Sequence, residues 1–143
     1  MRTDQIDGNV DLYGIVGDPI SAVRSPELFN AWFQQRGLHA VQVPIHVAAG
    51  DLGAAWQGLR RMRNVAGRVF TMPHKTAAAG LVDELGPTGQ LVGAINTARR
   101  EADGRWVGDM FDGRGFVRGL QDEGHGIAAR RVGLLGTGGA GAA

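Results

Sequence analysis

The sequence contains no cysteine among its 143 residues, which excludes disulfide bonds and thiolate chemistry and suits a reducing compartment. Aromatic residues make up only 6%, and no apolar run approaches the roughly 18 residues of a membrane span. Lys and Arg number 15 against 14 Asp and Glu, and this near-neutral balance argues against broad binding of a nucleic-acid backbone. Residues 1–11 are polar and acidic, unlike a secretory signal peptide. We therefore expect a cytoplasmic protein that binds neither nucleic acid nor membrane.

Glycine is the residue present in excess, at 24 of 143 positions. These glycines follow no three-residue period, which excludes a collagen-like chain. Hydrophobic residues make up 43% and charged residues 20%, a composition typical of a globular protein with an ordinary core.

Strand and helix patterns alternate along the chain. Apolar or alternating runs predict strands over 12–16, 39–47, 67–71, 93–97, 106–108 and 132–135. Apolar residues at helical spacing predict helices over 25–36, 51–63, 74–84 and 112–123, the first with Ser25 as its N-cap. This alternation predicts an α/β fold, with a mixed, mostly parallel sheet flanked by helices.

A glycine motif follows the last predicted strand. Gly136, Gly138 and Gly141 come directly after 132–135 and match the G-x-G-x-x-G fingerprint of dinucleotide-binding domains. In that motif the glycines allow a tight turn and a close approach to a pyrophosphate. The alternative is a glycine-rich tail that binds nothing.

The position of this motif predicts two domains. We expect 1–110 to form a substrate-binding catalytic domain. We expect 111–143 to form a linker helix followed by the first strand and Gly-rich loop of a truncated Rossmann domain. A longer reading frame should then continue beyond Ala143, and the 143-residue chain alone should be inactive.

Three polar residues next to predicted strands are candidates for chemistry. Lys75 follows a strand end and can move a proton if desolvation lowers its pKa from about 10.4; otherwise it is a solvated surface lysine. Asp112 opens a predicted helix, where it either caps the helix or also faces a cleft. Asn96 either binds substrate hydroxyls or closes a turn. His74 has no His or Cys at ligand spacing, so we expect no metal site.

Taken together, several segments resemble the shikimate dehydrogenase family. They are Gly17-Asp18-Pro19-Ile20 with Ser25-Pro26, Thr71-Met72-Pro73-His74-Lys75, Gly93-Ala94-Ile95-Asn96-Thr97, Asp112-Gly113 with Gly115-Phe116, and the Gly136 loop. Members of that family reduce 3-dehydroshikimate to shikimate with NADPH, and relatives oxidise quinate. The resemblance therefore implies an NADP-dependent oxidoreductase of a cyclic hydroxy acid, with NAD not excluded.

The resemblance also implies roles for individual residues. Lys75 and Asp112 correspond to the catalytic pair, which also contacts substrate. The other substrate-binding positions correspond to Val23, Ser25, Thr71 and Asn96. The pyrophosphate loop corresponds to Gly136, Thr137, Gly138, Gly139 and Ala140.

Some positions depart from the family pattern. Val23 stands where the family has a serine that helps to hold the substrate carboxylate, and Val69 stands where it has an asparagine. These changes keep the catalytic pair but predict a more apolar substrate pocket. A competing hypothesis is a non-catalytic module that binds a shikimate-type or quinate-type ligand. Exposed apolar surface on the last predicted strand would favour association, with a homodimer as the candidate assembly.

Overall fold

In the computed structural model, which describes residues 6–136, 138 and 141–143, six strands form one sheet. The strands are β1 (Asp11–Gly17), β2 (Ala40–His46), β3 (Val65–Phe70), β4 (Glu84–Leu85), β5 (Thr97–Arg100) and β6 (Trp106–Asp109). The helices are α1 (Ser25–Gln35), α2 (Leu52–Leu59), α3 (Lys75–Ala79), α4 (Pro87–Val92) and α5 (Asp112–Asp122), and a 3₁₀ turn covers Ala49–Asp51. No helix in the described part of the chain is both long and apolar enough to cross a bilayer.

The strand order is β2-β1-β3-β5-β6-β4. β1 pairs in parallel with β2 and β3, β4 pairs in parallel with β6, and β5 runs antiparallel to β3 and β6. The predicted mixed sheet flanked by helices is confirmed. Pro44 lies in β2, an edge strand, where its missing N–H costs the sheet no hydrogen bond.

The main core lies between the sheet and α2. Trp56 on α2 packs against Phe70 and Trp106, with ring centroids 5.9 and 5.1 Å apart, respectively. All three side chains are essentially inaccessible to solvent. This aromatic cluster anchors α2 on the face formed by β3 and β6.

The helix α1 is less buried than its apolar pattern predicts. Phe33 is buried and packs on Tyr13 of β1, with ring centroids 5.1 Å apart. By contrast, Leu28 and Trp32 remain 71% and 45% exposed. The helix lies over the β1–β2 end of the sheet, where the Asn30 amide bonds the backbone of β2, so its outer apolar residues face solvent.

Two predicted helices end early. α2 ends at Leu59 instead of residue 63, because tighter turn hydrogen bonds, such as Met62 N–H to the Leu59 carbonyl, close the chain. α3 ends at Ala79 instead of residue 84, with Gly80 as its C-cap. Residues 84–85 instead extend alongside β6 as the strand β4.

Two predicted strands also differ. The strand expected over 93–97 begins only at Thr97, because Gly93, with φ of 69°, ends α4, a helix that was not predicted. The strand expected over 132–135 is wrong, since those residues form no strand in the structure and Leu135 is fully exposed. A strand needs a neighbour for its backbone hydrogen bonds, and none of the described residues supplies one there.

Candidate active site

The candidate residues gather at one edge of the sheet. The parallel strands β1, β2 and β3 end there, and the antiparallel connection places the start of β5 and the end of β6 at the same edge. Backbone hydrogen bonds join the loops, from Asp18 N–H to the Met72 carbonyl at 3.0 Å and from Asn96 N–H to the Asp109 carbonyl at 3.1 Å. Ligands of α/β sheets bind outside the carboxyl ends of the strands, so this edge is the expected place for a site.

Lys75 and Asp112 meet at this edge although they are 37 positions apart in the sequence. Lys75 Nζ donates a hydrogen bond to Asp112 Oδ2 at 2.5 Å. The side chains are 17% and 34% exposed, so the pair is partly shielded but reachable from solvent. A charge-assisted hydrogen bond in such a setting orients the lysine ammonium firmly.

Lys75 is the only lysine in the sequence, since the other 14 of its 15 basic residues are arginines. An arginine guanidinium keeps its proton at neutral pH, whereas a lysine ammonium can transfer one. Among the Lys and Arg residues, the one suited to proton transfer therefore lies at the edge of the sheet where a ligand is expected.

Asn96 completes the network. Its Nδ2 donates to Asp112 Oδ1 at 2.6 Å, and its Oδ1 accepts the backbone N–H of Phe111 at 3.0 Å. Asn96 therefore joins the start of β5 to the start of α5 and does more than close a turn. Phe111 occupies the helix N-cap position, so Asp112 is not the N-cap, and both of its oxygens instead accept from Asn96 and Lys75.

The backbone of Lys75 is held from both sides. The preceding residue, His74, is 1% exposed, and its Nε2 lies 2.7 Å from the carbonyl oxygen of Val47. Because a carbonyl only accepts, the His74 Nε2 carries the proton in this hydrogen bond. The carbonyl of Lys75 in turn accepts the N–H of Ile95 at 2.9 Å.

The other substrate-binding candidates lie after β3 and around the start of α1. Thr71 lines a cavity of about 610 Å³ together with Lys75. The prediction of Ser25 as N-cap of α1 is wrong, because Arg24 occupies that position and Ser25 is the first residue of the helix. The Ser25 Oγ is buried with no hydrogen-bond partner among the described residues. Val23 is half-buried in the preceding turn. No hydrogen bond links Ser25 to Lys75, Asp112 or Asn96 within the described part of the chain.

The glycine loop borders the same cavity. Gly136 and Gly138 line it together with Lys75, and Gly136 has a φ of 91°, in the left-handed region that glycine readily adopts. No heavy atom lies within 4 Å of the position a Cβ would take at either glycine, so a pyrophosphate has room to approach the backbone. Thr137, Gly139 and Ala140 lie outside the described residues.

One strongly perturbed charge lies apart from these candidates. Arg68 on β3 is 2% exposed. Its guanidinium carbon lies over the Trp106 ring, 5.6 Å from the ring centroid. Burial lowers the pKa of Arg68 to about 10. Its hydrogen bonds go to the carbonyl oxygens of Gly67 and Leu59. Arg68 therefore belongs to the core and not to the cleft.

Comparison with known proteins finds a family model and relatives that match this chain. Residues 15–98 match the family model described as the shikimate dehydrogenase substrate binding domain. The shikimate dehydrogenase (NADP(+)) of Lysinibacillus sphaericus is 40% identical over 90% of this chain, and that of Geobacter metallireducens is 43% identical over 94%. The chain spans only 46% and 47% of those proteins, about half of their length.

A solved structure shares the fold. Shikimate 5-dehydrogenase from Listeria monocytogenes, crystallised with shikimate and NAD, aligns with a TM-score of 0.85 and 34% identity, covering 97% of this chain and 48% of that one. The family match covers more than half of the chain, runs from the end of β1 through β3, and includes Lys75 and Asn96. The chain therefore belongs to the shikimate dehydrogenase family.

Proposed function

We propose that the protein is an NADP-dependent oxidoreductase that reversibly reduces 3-dehydroshikimate or a related cyclic hydroxy acid. The observation that carries this proposal is the hydrogen-bonded pair of Lys75 and Asp112 at the ligand-binding edge of the sheet. The names of the relatives, shikimate dehydrogenase (NADP(+)), support the same reaction, although this chain covers only about half of each.

In this proposal Lys75 transfers the proton, and Asp112 orients the Lys75 side chain. In the direction of reduction, the Lys75 ammonium donates a proton to the substrate oxygen as the carbonyl becomes a hydroxyl. Asp112 holds the ammonium in place, and Asn96 holds Asp112. When bound, NADPH supplies the hydride. Positioned proton transfer of this kind contributes a rate factor of about 10²–10⁴.

Substrate binding is assigned to the polar groups around this pair. Ser25, Thr71 and Asn96 provide hydroxyl and amide groups that suit a ring bearing several hydroxyls. The buried Ser25 Oγ has no partner among the described residues, and a buried hydroxyl without a partner is unusual in proteins. Val23 adds an apolar side chain at a position where the family pattern has a serine.

Cofactor binding is assigned to the loop that contains Gly136, Thr137, Gly138, Gly139 and Ala140. The left-handed φ of Gly136 and the open space at Gly136 and Gly138 support this assignment. We further propose that 1–110 is the substrate-binding domain and 111–143 the start of the nucleotide-binding domain. The exposed apolar residues of α1 would suit a homodimer contact, and the absence of cysteine suits the cytoplasm.

The test is an assay of the full-length gene product with NADP⁺ and NAD⁺ against shikimate, quinate and an amino analogue. We expect oxidation of at least one of these acids, faster with NADP⁺. No hydride transfer with any combination would refute the proposal. A rise in melting temperature with shikimate in the absence of turnover would instead indicate a ligand-binding module.

A further inference from the structure

The contact that carries a further inference joins Gly17, the last residue of β1, to Thr71. A Cβ added at Gly17 would clash with Thr71 Cγ2 and would lie 3.2 Å from both Ile20 Cδ1 and the carbonyl oxygen of Met72. Gly17 does not have a positive φ, so any residue could adopt its backbone conformation. Glycine is required here for space and not for backbone geometry.

Neither the Gly17 backbone nor the backbone of Thr71 can easily move away from this contact. The backbone on both sides of Gly17 is bonded to the chain around Thr71, by Thr71 N–H to the Val16 carbonyl at 2.9 Å and by Asp18 N–H to the Met72 carbonyl at 3.0 Å. The Gly17 carbonyl also accepts the N–H of Val47 at 3.2 Å. A side chain at position 17 would therefore have to displace the Thr71 methyl group.

Displacing that methyl group also moves the hydroxyl. Threonine carries both groups on one Cβ, and its χ1 angle is restricted to a few staggered positions. The rotamer that places Cγ2 against Gly17 consequently sets the direction of the Thr71 hydroxyl. Thr71 lines the same cavity as Lys75, so this direction matters for anything bound beside the lysine.

We propose that Gly17 is a positioning residue, whose missing side chain holds Thr71 in the rotamer that presents its hydroxyl to substrate. This inference rests on the proposed function, because that function assigns Thr71 to substrate binding. Gly17 itself contributes no group that contacts substrate.

The first test compares Gly17→Ala with Gly14→Ala in the full-length gene product. At Gly14 an added Cβ would meet the flexible end of Ile45, at 2.5 Å from Cδ1, which can swing away. We expect Gly17→Ala to raise KM for the hydroxy acid about tenfold, as loss of one hydrogen bond would, and to change kcat much less. Gly14→Ala should leave both constants within about twofold of wild type. An unchanged KM in Gly17→Ala would overturn the inference.

The second test is rescue by Thr71→Ser, which deletes Cγ2 and keeps the hydroxyl. In the Gly17→Ala background this change should return KM to the value of Thr71→Ser alone. If the double variant is as impaired as Gly17→Ala, the added Cβ acts through Ile20 or the Met72 carbonyl and the inference is wrong. Should Gly17→Ala alone fail to fold, the double variant must still fold and turn over, and its failure to do so would equally overturn the inference.

Two measurements separate this inference from the proposed function. Thr71→Val keeps the methyl contact and removes the hydroxyl, so an unchanged KM in that variant would count against the substrate role of Thr71 but not against the packing. The packing itself is read from three-bond NMR couplings of the Thr71 methyl group, which need no activity. We expect one rotamer in wild type and a changed or averaged rotamer in Gly17→Ala, and the same rotamer in both would refute the positioning role.

Discussion

Replacement of Lys75 and Asp112, singly and together, tests the central pair of the site most directly. The two side chains are joined at 2.5 Å, and both are at least partly shielded from solvent. Lys75→Ala removes the proton donor, and we expect kcat to fall by about 10²–10⁴, which corresponds to about 3–5 kcal/mol of transition-state stabilisation. Asp112→Asn keeps an oxygen for Asn96 but turns an amide toward Lys75, so a smaller loss is expected.

The Lys75→Arg variant tests whether Lys75 acts through its positive charge or through the transfer of its proton. The guanidinium can still pair with Asp112, but it cannot release a proton during the reaction. We therefore expect this variant to fold with near wild-type stability and to lose kcat almost as severely as Lys75→Ala. Recovery of most activity in Lys75→Arg would show that the charge alone matters.

The assay follows NADPH absorbance in the full-length gene product at saturating substrate. Residues that act as a unit are not additive, so the Lys75→Ala/Asp112→Asn variant should be about as slow as Lys75→Ala alone. Arg118→Ala serves as control, because it breaks an ion pair with Asp122 that is exposed on α5 and should leave kcat unchanged. Near-normal turnover in Lys75→Ala, or fully additive losses in the double variant, would refute the proton-transfer role.

Two further predictions concern the support of the site and the core. Asn96→Ala removes hydrogen bonds to Asp112 and to the Phe111 backbone, and it should lower both kcat and the free energy of unfolding, the latter by about 1–3 kcal/mol; an unchanged denaturation midpoint would contradict this. Burial lowers the pKa of Arg68 to about 10, so the folded state disfavours its charged form. Arg68→Met should therefore raise the unfolding free energy by about 1 kcal/mol at neutral pH, a gain that shrinks as pH rises above that pKa, and a lower melting temperature would contradict it.

Local patterns in the sequence predicted the class of fold, and they singled out Lys75, Asp112 and Asn96 as candidates for chemistry. The strand expected over 39–47 depends on neighbours in the chain, and it appears in the structure as β2 (Ala40–His46). The motif that ends at Lys75 likewise spans only five consecutive residues. Such features are readable because the interactions that produce them span only a few residues.

Element ends and burial could not be read in this way, because they depend on partners distant in the sequence. The apolar spacing of α1 predicts a buried face, yet Leu28 and Trp32 are exposed because the helix covers only the β1–β2 end of the sheet. Residues 132–135 have a strand-like composition, yet they form no strand without a neighbouring backbone to pair with.

The sequence by itself determined which chemical groups the protein has, including a single lysine, an aspartate at the start of a helix and glycines after an apolar run. Only the tertiary structure decided that Lys75 and Asp112 share a hydrogen bond, that Asn96 holds the aspartate, and that Gly17 leaves room for the Thr71 methyl group. The physical reason is that each of these contacts joins chain segments at the ends of different strands. Strand order and direction, set by hydrogen bonding and by burial of the core as a whole, bring those loops to one edge.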